Sequence, residues 1–208
     1  MLKTHELTFS YDGNRQFLFP DIKVDSGEHL LVLGRSGKGK TTLLHLLAGF
    51  LSQQSGTIEI NGQKLEQLSG FKKDQFRAKR IGVVFQVPHF ISSLTVEQNI
   101  LWAQKLARLK PDIEKVRSYL KRLNLEHRAK AHVQKLSQGE LQRASIIRGI
   151  INDPAVVLAD EPTSSLDDEN CTDVIKLLEE QTDAVGAALV VVTHDQRIKD
   201  FFTNSIQL

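Results

Sequence analysis

Between Gly34 and Thr41 the chain reads Gly-Arg-Ser-Gly-Lys-Gly-Lys-Thr. The apolar run Leu30-Leu-Val-Leu33 precedes it, and Leu43, Leu44, Leu46, Leu47 and Phe50 follow at helical spacing. A strand, a glycine-rich turn and a helix over Thr41 to Phe50 are therefore expected in immediate succession. That context separates a phosphate-binding loop from a chance cluster of glycines. Gly34, Gly37 and Gly39 permit backbone angles that side chains forbid, so successive N–H groups can turn toward one anion. The positive end of the following helix points at the same place. Lys40 adds a point charge for the terminal phosphates, and Thr41 offers a hydroxyl to Mg²⁺. The candidate phosphate site thus runs through Gly34, Arg35, Ser36, Gly37, Lys38, Gly39, Lys40, Thr41 and Thr42.

A second constellation supports the first. The apolar run Val156 to Ala159 ends in Asp160-Glu161-Pro162. Two adjacent carboxylates at the end of a buried strand are costly unless a cation offsets them. Ligands of open α/β sheets bind at the carboxyl ends of the strands, so these acids are expected to face the phosphate loop. Asp160 then suits a Mg²⁺ ligand acting through water, and Glu161 suits a base or orienter for an attacking water. Together these residues favour hydrolysis of a nucleoside triphosphate.

The rest of the chain reads as an α/β fold with a helical insertion. Leu7 and Phe9 alternate with polar neighbours, as on a half-buried edge strand. Phe17 to Val24 is a strand-like run interrupted at Pro20, and Gly56 to Ile60 and Ile81 to Phe85 are further short strands. From Val87 to Ile151 the pattern is read as all helix. Thr95-Val-Glu-Gln98 forms a capping box for a helix to about Arg108, and Pro111 suits the first turn of the next. Strand and helix alternate again through Ala155 to Ala159, Glu169 to Gln181 and Ala187 to Val192.

Composition narrows the function. One cysteine, Cys171, excludes a disulfide framework and a multi-cysteine zinc site, and it reads as packing. A formal net charge of +2 gives no reason to expect nucleic acid. The longest apolar stretch, Ala184 to Val192, falls far short of the ~20 residues that span a bilayer. The composition fits a reducing compartment, and the chain is not expected to enter a membrane by itself, though it could lie against something that does.

Several further segments, in order along the chain, resemble one family. They are Gln86 after the strand Ile81 to Phe85, Leu136-Ser-Gln-Gly-Glu140 followed by Leu141-Gln-Arg143, Ser165-Leu-Asp167, and His194 after the strand Ala187 to Val192. With the phosphate loop, they make the sequence similar throughout to the ATP-binding subunit of ATP-binding cassette (ABC) transporters. The resemblance implies a P-loop NTPase fold: a RecA-like sheet, a small antiparallel β subdomain and an inserted helical subdomain. It implies one cassette over 1–208, with the α/β core in 1–86 and 152–208 and the helical insertion, carrying the signature, in 87–151. No room remains in 208 residues for the extra regulatory domain of some importers.

The same resemblance assigns roles. ATP and Mg²⁺ are implied, with Mg²⁺ held by Thr41, Gln86 and Asp160. Glu161, His194 and Gln86 are the implied catalytic group. Tyr11 is placed to stack on adenine. Ser137, Gln138, Gly139, Glu140 and Asp167 are implied to contact ATP held by a second copy in a homodimer, the start of a helix facing the phosphate. An integral membrane permease is the implied second partner, contacting the segment after Gln86, on the cytoplasmic face. Ala159-Asp-Glu-Pro-Thr163, with Gly139-Glu140 and Gln142-Arg143, resembles the lipoprotein-release and macrolide-export group, although Ser164-Ser165 stands where that group usually has Gly-Asn. A cell-division-type ATPase that signals across the membrane is the alternative. Gln138 and Glu140 also depart from the commoner Leu-Ser-Gly-Gly-Gln, while Gly139 is kept.

Overall fold

The computed structural model describes residues 1–13, 16–164, 166 and 168–208, without the side chains of 168–170. In chain order the elements are β1 (Leu2–Ser10), β2 (Gln16–Leu18), β3 (Lys23–Val24), β4 (His29–Leu33), α1 (Lys40–Leu47), β5 (Ser55–Ile60), β6 (Gln63–Lys64) and α2 (Gly70–Arg80). There follow β7 (Ile81–Val84), α3 (Val96–Leu106), α4 (Ile113–Arg122), α5 (Gln138–Ile150), β8 (Val156–Asp160), α6 (Asp168–Ala184), β9 (Ala188–Thr193) and β10 (Asn204–Gln207).

Two sheets form. One is antiparallel, in the order β2-β1-β5-β6 with β3 also on β1, and the other is parallel, in the order β10-β4-β9-β8-β7. The period-2 alternation of strand side chains divides the core. Leu30 and Val32 of β4, with Val190 and Val192 of β9, join Leu43, Leu46, Leu2 and Ile58 in one cluster around α1. Leu31 and Leu33, with Leu189 and Val191, face the opposite way, onto Ile175 and Leu178 of α6. A third cluster holds Ile100, Val116, Leu120 and Ile147 among α3, α4 and α5. Helix α5 belongs to two clusters, since Ile146 and Ile150 pack on the sheet side. It lies close to β7 because Gly82 and Gly149 meet there, and a Cβ on Gly82 would strike the Gly149 carbonyl.

The structure changes several expectations. Strand β1 is central rather than an edge, with β2 and β3 on one side and β5 on the other. Its alternation records which face of the sheet is covered, not its position in the sheet. The inward set shifts from Leu2 and Thr4 to Leu7 and Phe9 because a bulge falls between His5 and Thr8, where Glu6 takes φ 46°. Residues 87–151 are not all helix. Short 3₁₀ turns at Glu126–Arg128 and Val133–Lys135 and a bridge from Thr95 to His132 separate the helices. The Thr95 capping box is present, with both bonds to Gln98 made. Pro111 lies outside α4, whose cap is Asp112. Helix α5 starts at Gln138, directly after its cap Ser137. Helix α2 and strand β10 were not expected. Helix α2 has no buried residue, so it lacks the apolar period that marks a helix. Strand β10 is a largely exposed sheet edge.

Candidate functional site

Strand register assembles the site. Leu33 pairs with Thr193, and Asp160 with Val192. The residues that follow β4, β8 and β9 therefore emerge side by side. Gly34 N–H donates to the Thr193 carbonyl at 3.2 Å, and Glu161 N–H to the Val192 carbonyl at 2.8 Å. The loop after β4 turns through Gly37 at φ 78° and Gly39 at φ 95°. Gly39 is also sterically fixed, because an added Cβ would lie 2.7 Å from Phe17 Cδ1. It caps α1 without any side-chain hydrogen bond, so the start of α1 is left for a ligand.

Lys40 is buried. Its Nζ donates to the carbonyls of Gly34 at 2.8 Å and Arg35 at 3.3 Å, and lies 3.3 Å from Glu161 Oε1. Thr41 Oγ1 donates to Asp160 Oδ1 at 3.4 Å. Glu161 takes φ 45°, uncommon for a residue with a side chain and a form of strain that recurs at functional sites. Its Oε2 accepts from Thr193 Oγ1 at 2.8 Å and His194 N–H at 3.2 Å, with His194 Nδ1 at 2.9 Å. The two neighbouring acids respond in opposite directions. Burial pushes Asp160 up, and the charge of Glu161 adds to this against the opposing Thr41 bond. Burial also pushes Glu161 up, but bonds from His194 and Thr193 outweigh it and hold this carboxyl below its usual range.

These groups open on a cavity of about 550 Å³. Of the residues expected in the site, Ser36, Gly37, Gly39, Lys40, Thr41, Thr42, Gln86, Glu161 and His194 line it. Gln86 Nε2 donates to Ser164 Oγ at 2.9 Å, and Ser164 Oγ donates to the Glu161 carbonyl at 3.1 Å. Gly34 is buried at the end of β4, whereas Arg35 and Lys38 are exposed on the loop. Tyr11 is mostly exposed, packs edge-on against Phe9, and its hydroxyl lies 3.1 Å from Thr42 Oγ1. Phe17 lines the cavity and was missed. Its signal was the aromatic pair Phe17 and Phe19, whose rings stack at 6.1 Å.

The donor set suits Mg²⁺ and a triphosphate. A hydroxyl, a carboxylate and an amide oxygen are hard ligands, and Mg²⁺ keeps waters while sharing phosphate oxygens. Among the described residues no group of three or more His, Cys, Asp or Glu could hold a metal, so a protein-only cage is not built. The uncapped start of α1 and the buried Lys40 have the chemistry that would fit an anion.

The signature residues form a second helix start. Ser137 and Gln138 are exposed and Gly139 half-buried. Ser137 Oγ accepts from Glu140 N–H at 3.3 Å, and the Glu140 carboxylate accepts from Ser137 N–H at 2.8 Å. Arg128 Nε donates to Glu140 Oε1 at 2.7 Å, and His127 Nε2 lies 3.3 Å from the same oxygen. The Arg128 bond, with that of the Ser137 N–H, pulls Glu140 down to about 2. Asp167 and Ser165 lie outside the described residues.

Fold and site together define a P-loop nucleotide-hydrolase cassette. The sequence model described as ABC transporter matches residues 20–164, so the chain belongs to the ABC transporter family. It is similar to the ATP-binding cassette MJ0796 in a dimeric post-hydrolysis state bound to ADP and Pi, with a TM-score of 0.88 and 28% identity over 100% of this chain and 94% of that one. A second dimeric structure of MJ0796, described as a bacterial ABC transporter cassette, matches with the same figures. The cbiO1 protein of Clostridium perfringens, described as part of the ABC transporter complex cbiONQ, has a TM-score of 0.86 and 28% identity over 99% of this chain and 83% of its own. The chain is an ABC ATPase.

Proposed function

We propose that this ATPase drives a separate membrane-embedded permease, in a system of the exporter or lipoprotein-release type, from the cytoplasmic face of the membrane. The observation that carries the site reading is the meeting of Lys40, Glu161 and His194 on one cavity at the strand ends. Residues 34–42 hold the phosphates, with Tyr11 on the base. Thr41, Asp160 and Gln86 hold Mg²⁺, which supplies charge neutralisation on the phosphate oxygens when bound. Glu161, kept ionised by Thr193 and His194, accepts a proton from the attacking water. His194 orients that carboxylate and donates toward the transferred phosphate. Ser137, Gln138, Gly139 and Glu140 face the nucleotide of a second copy, so that ATP closes a homodimer. The dimeric relatives support this arrangement.

Among the described residues no helix is long and apolar enough to cross a membrane. A groove of about 650 Å³ supports an external membrane partner. Phe50, Phe71, Trp102 and Leu106 line it, all exposed, and His89 and Ile91 bring in the segment after Gln86. A helix of the permease fits this apolar trough.

The test is Glu161→Gln. MgATP binding should persist, turnover should fall on the order of 10²–10⁴-fold, and an ATP-held dimer should accumulate on size-exclusion chromatography. Turnover at the wild-type rate would remove Glu161 from catalysis.

A further inference from the structure

The loops that carry Glu161 and His194 are joined twice. At the cavity, Glu161 meets Thr193 and His194 as described. Behind it runs a second network. Asp195 is only 9% exposed, and its Oδ2 accepts from the fully buried Thr163 Oγ1 at 3.0 Å. Arg197 donates through Nε to Asp195 Oδ1 at 2.9 Å and through Nη2 to Oδ2 at 2.7 Å. The same guanidinium donates from Nη1 and Nη2 to the Leu166 carbonyl, each at 3.3 Å. One planar fork therefore grips a carboxylate on the loop after β9 and the backbone of the loop after β8.

The two networks share an atom. Asp195 N–H donates to Thr193 Oγ1 at 3.0 Å, and that hydroxyl donates to Glu161 Oε2 at 2.8 Å. Because Thr193 Oγ1 already accepts from Asp195, its proton is directed at Glu161. The backbone of Asp195 thus sets where the Thr193 hydroxyl sits, and Arg197 sets where Asp195 sits.

We infer that Arg197 is a positioning residue for ATP hydrolysis: it clamps Thr163 and the Leu166 carbonyl to the segment 194–197 and so holds Glu161 and His194 in their mutual geometry. The inference rests on the assignment of Glu161 and His194 to catalysis. The bonds that form the clamp run to Asp195 and Leu166 rather than to residues 34–42, so its effect is expected on the chemical step more than on nucleotide capture. Lysine is not an equivalent, because its ammonium can neutralise Asp195 but lacks the planar fork that spans to Leu166.

The experiment compares Arg197→Ala, Arg197→Lys and Glu161→Gln with the wild type, using steady-state ATPase kinetics, MgADP titration and thermal melting. Arg197→Ala should lower kcat on the order of 10–100-fold, the scale of a small misplacement of reacting groups, with KM and MgADP affinity within about two-fold of wild type. Arg197→Lys should recover melting temperature but not kcat, and it carries the test if the alanine variant does not fold. Wild-type kcat in either folded variant overturns the clamp. So does a loss of MgADP affinity that parallels the loss of kcat. If Glu161→Gln turns over normally, the catalytic reading itself fails. If only that variant is impaired, the catalytic reading stands and the clamp alone is refuted.

Discussion

Two helices of this molecule begin at motif residues, and they begin in opposite ways. Helix α1 starts from Gly39 with no side chain capping it. Helix α5 starts from Ser137, with a complete capping box to Glu140. The acids nearby follow the same division. Asp160, beside the α1 start, is pushed up by burial. Glu140 is drawn down to about 2 by Arg128 and the Ser137 N–H. One helix start is satisfied by its own chain, and the other leaves its N–H groups for an anion. The open end carries unfavourable features that stability alone would not select: a buried cation, a buried acid and a residue at positive φ. The closed end is held by its own capping box and by Arg128.

The contrast can be broken at either end. The largest effect is expected from Lys40→Ala. Removing a charged donor that reaches phosphate should weaken MgATP binding by about 1.5–3 kcal/mol, measured by calorimetric titration. Unchanged affinity would mean that the α1 start is not the phosphate site.

Asp160→Asn sharpens the comparison through stability. It removes a buried charge and its repulsion from Glu161, so the ligand-free chain should melt higher, by about 2–4 °C for each kcal/mol gained in a chain of this size. Turnover supported by Mg²⁺ should be lost. The sign follows from linkage. The carboxyl is raised in the folded state, so its favourable contribution is full below the unfolded value and is lost as pH rises through the folded one. The advantage of the variant should therefore grow from acid toward neutral pH. A variant that melts lower than wild type at neutral pH would contradict the account of the open end.

Ser137→Ala should have the smallest effect on a single chain. Loss of the cap costs about 1 kcal/mol of stability, read by denaturant unfolding. Nucleotide affinity of the isolated chain should be unchanged, because the α5 start lies outside the cavity. A large loss of affinity in the monomer would show that the two helix starts are not separate.

The glycine-rich turn between β4 and α1, the paired acids after Ala159 and the Thr95 box are legible in the sequence because each is written in consecutive residues. What is not legible shares a cause. Helix α2 has no fully buried residue, Phe76 being only partly packed on the core, and β10 is a largely exposed edge, so neither leaves a strong periodic signal. Strand β1 alternates like an edge strand because burial of one face gives the same pattern at any position in a sheet. Phe17 reaches the cavity from a short strand of the other sheet; the aromatic pair with Phe19 marks it, but its approach to Gly39 is set by tertiary packing.

The sequence by itself determined the local geometry: glycines where φ must be positive, a lysine and a threonine at the head of a helix, and two acids at the end of an apolar strand. Backbone sterics and helix periodicity act over a few residues, so those features follow from short segments. The tertiary structure alone decided which segments meet. The parallel register of β4, β9 and β8 put His194 on Glu161 and Arg197 across to Leu166. Contacts between residues far apart in the chain depend on the packing of whole elements around a shared core, and no single segment encodes them.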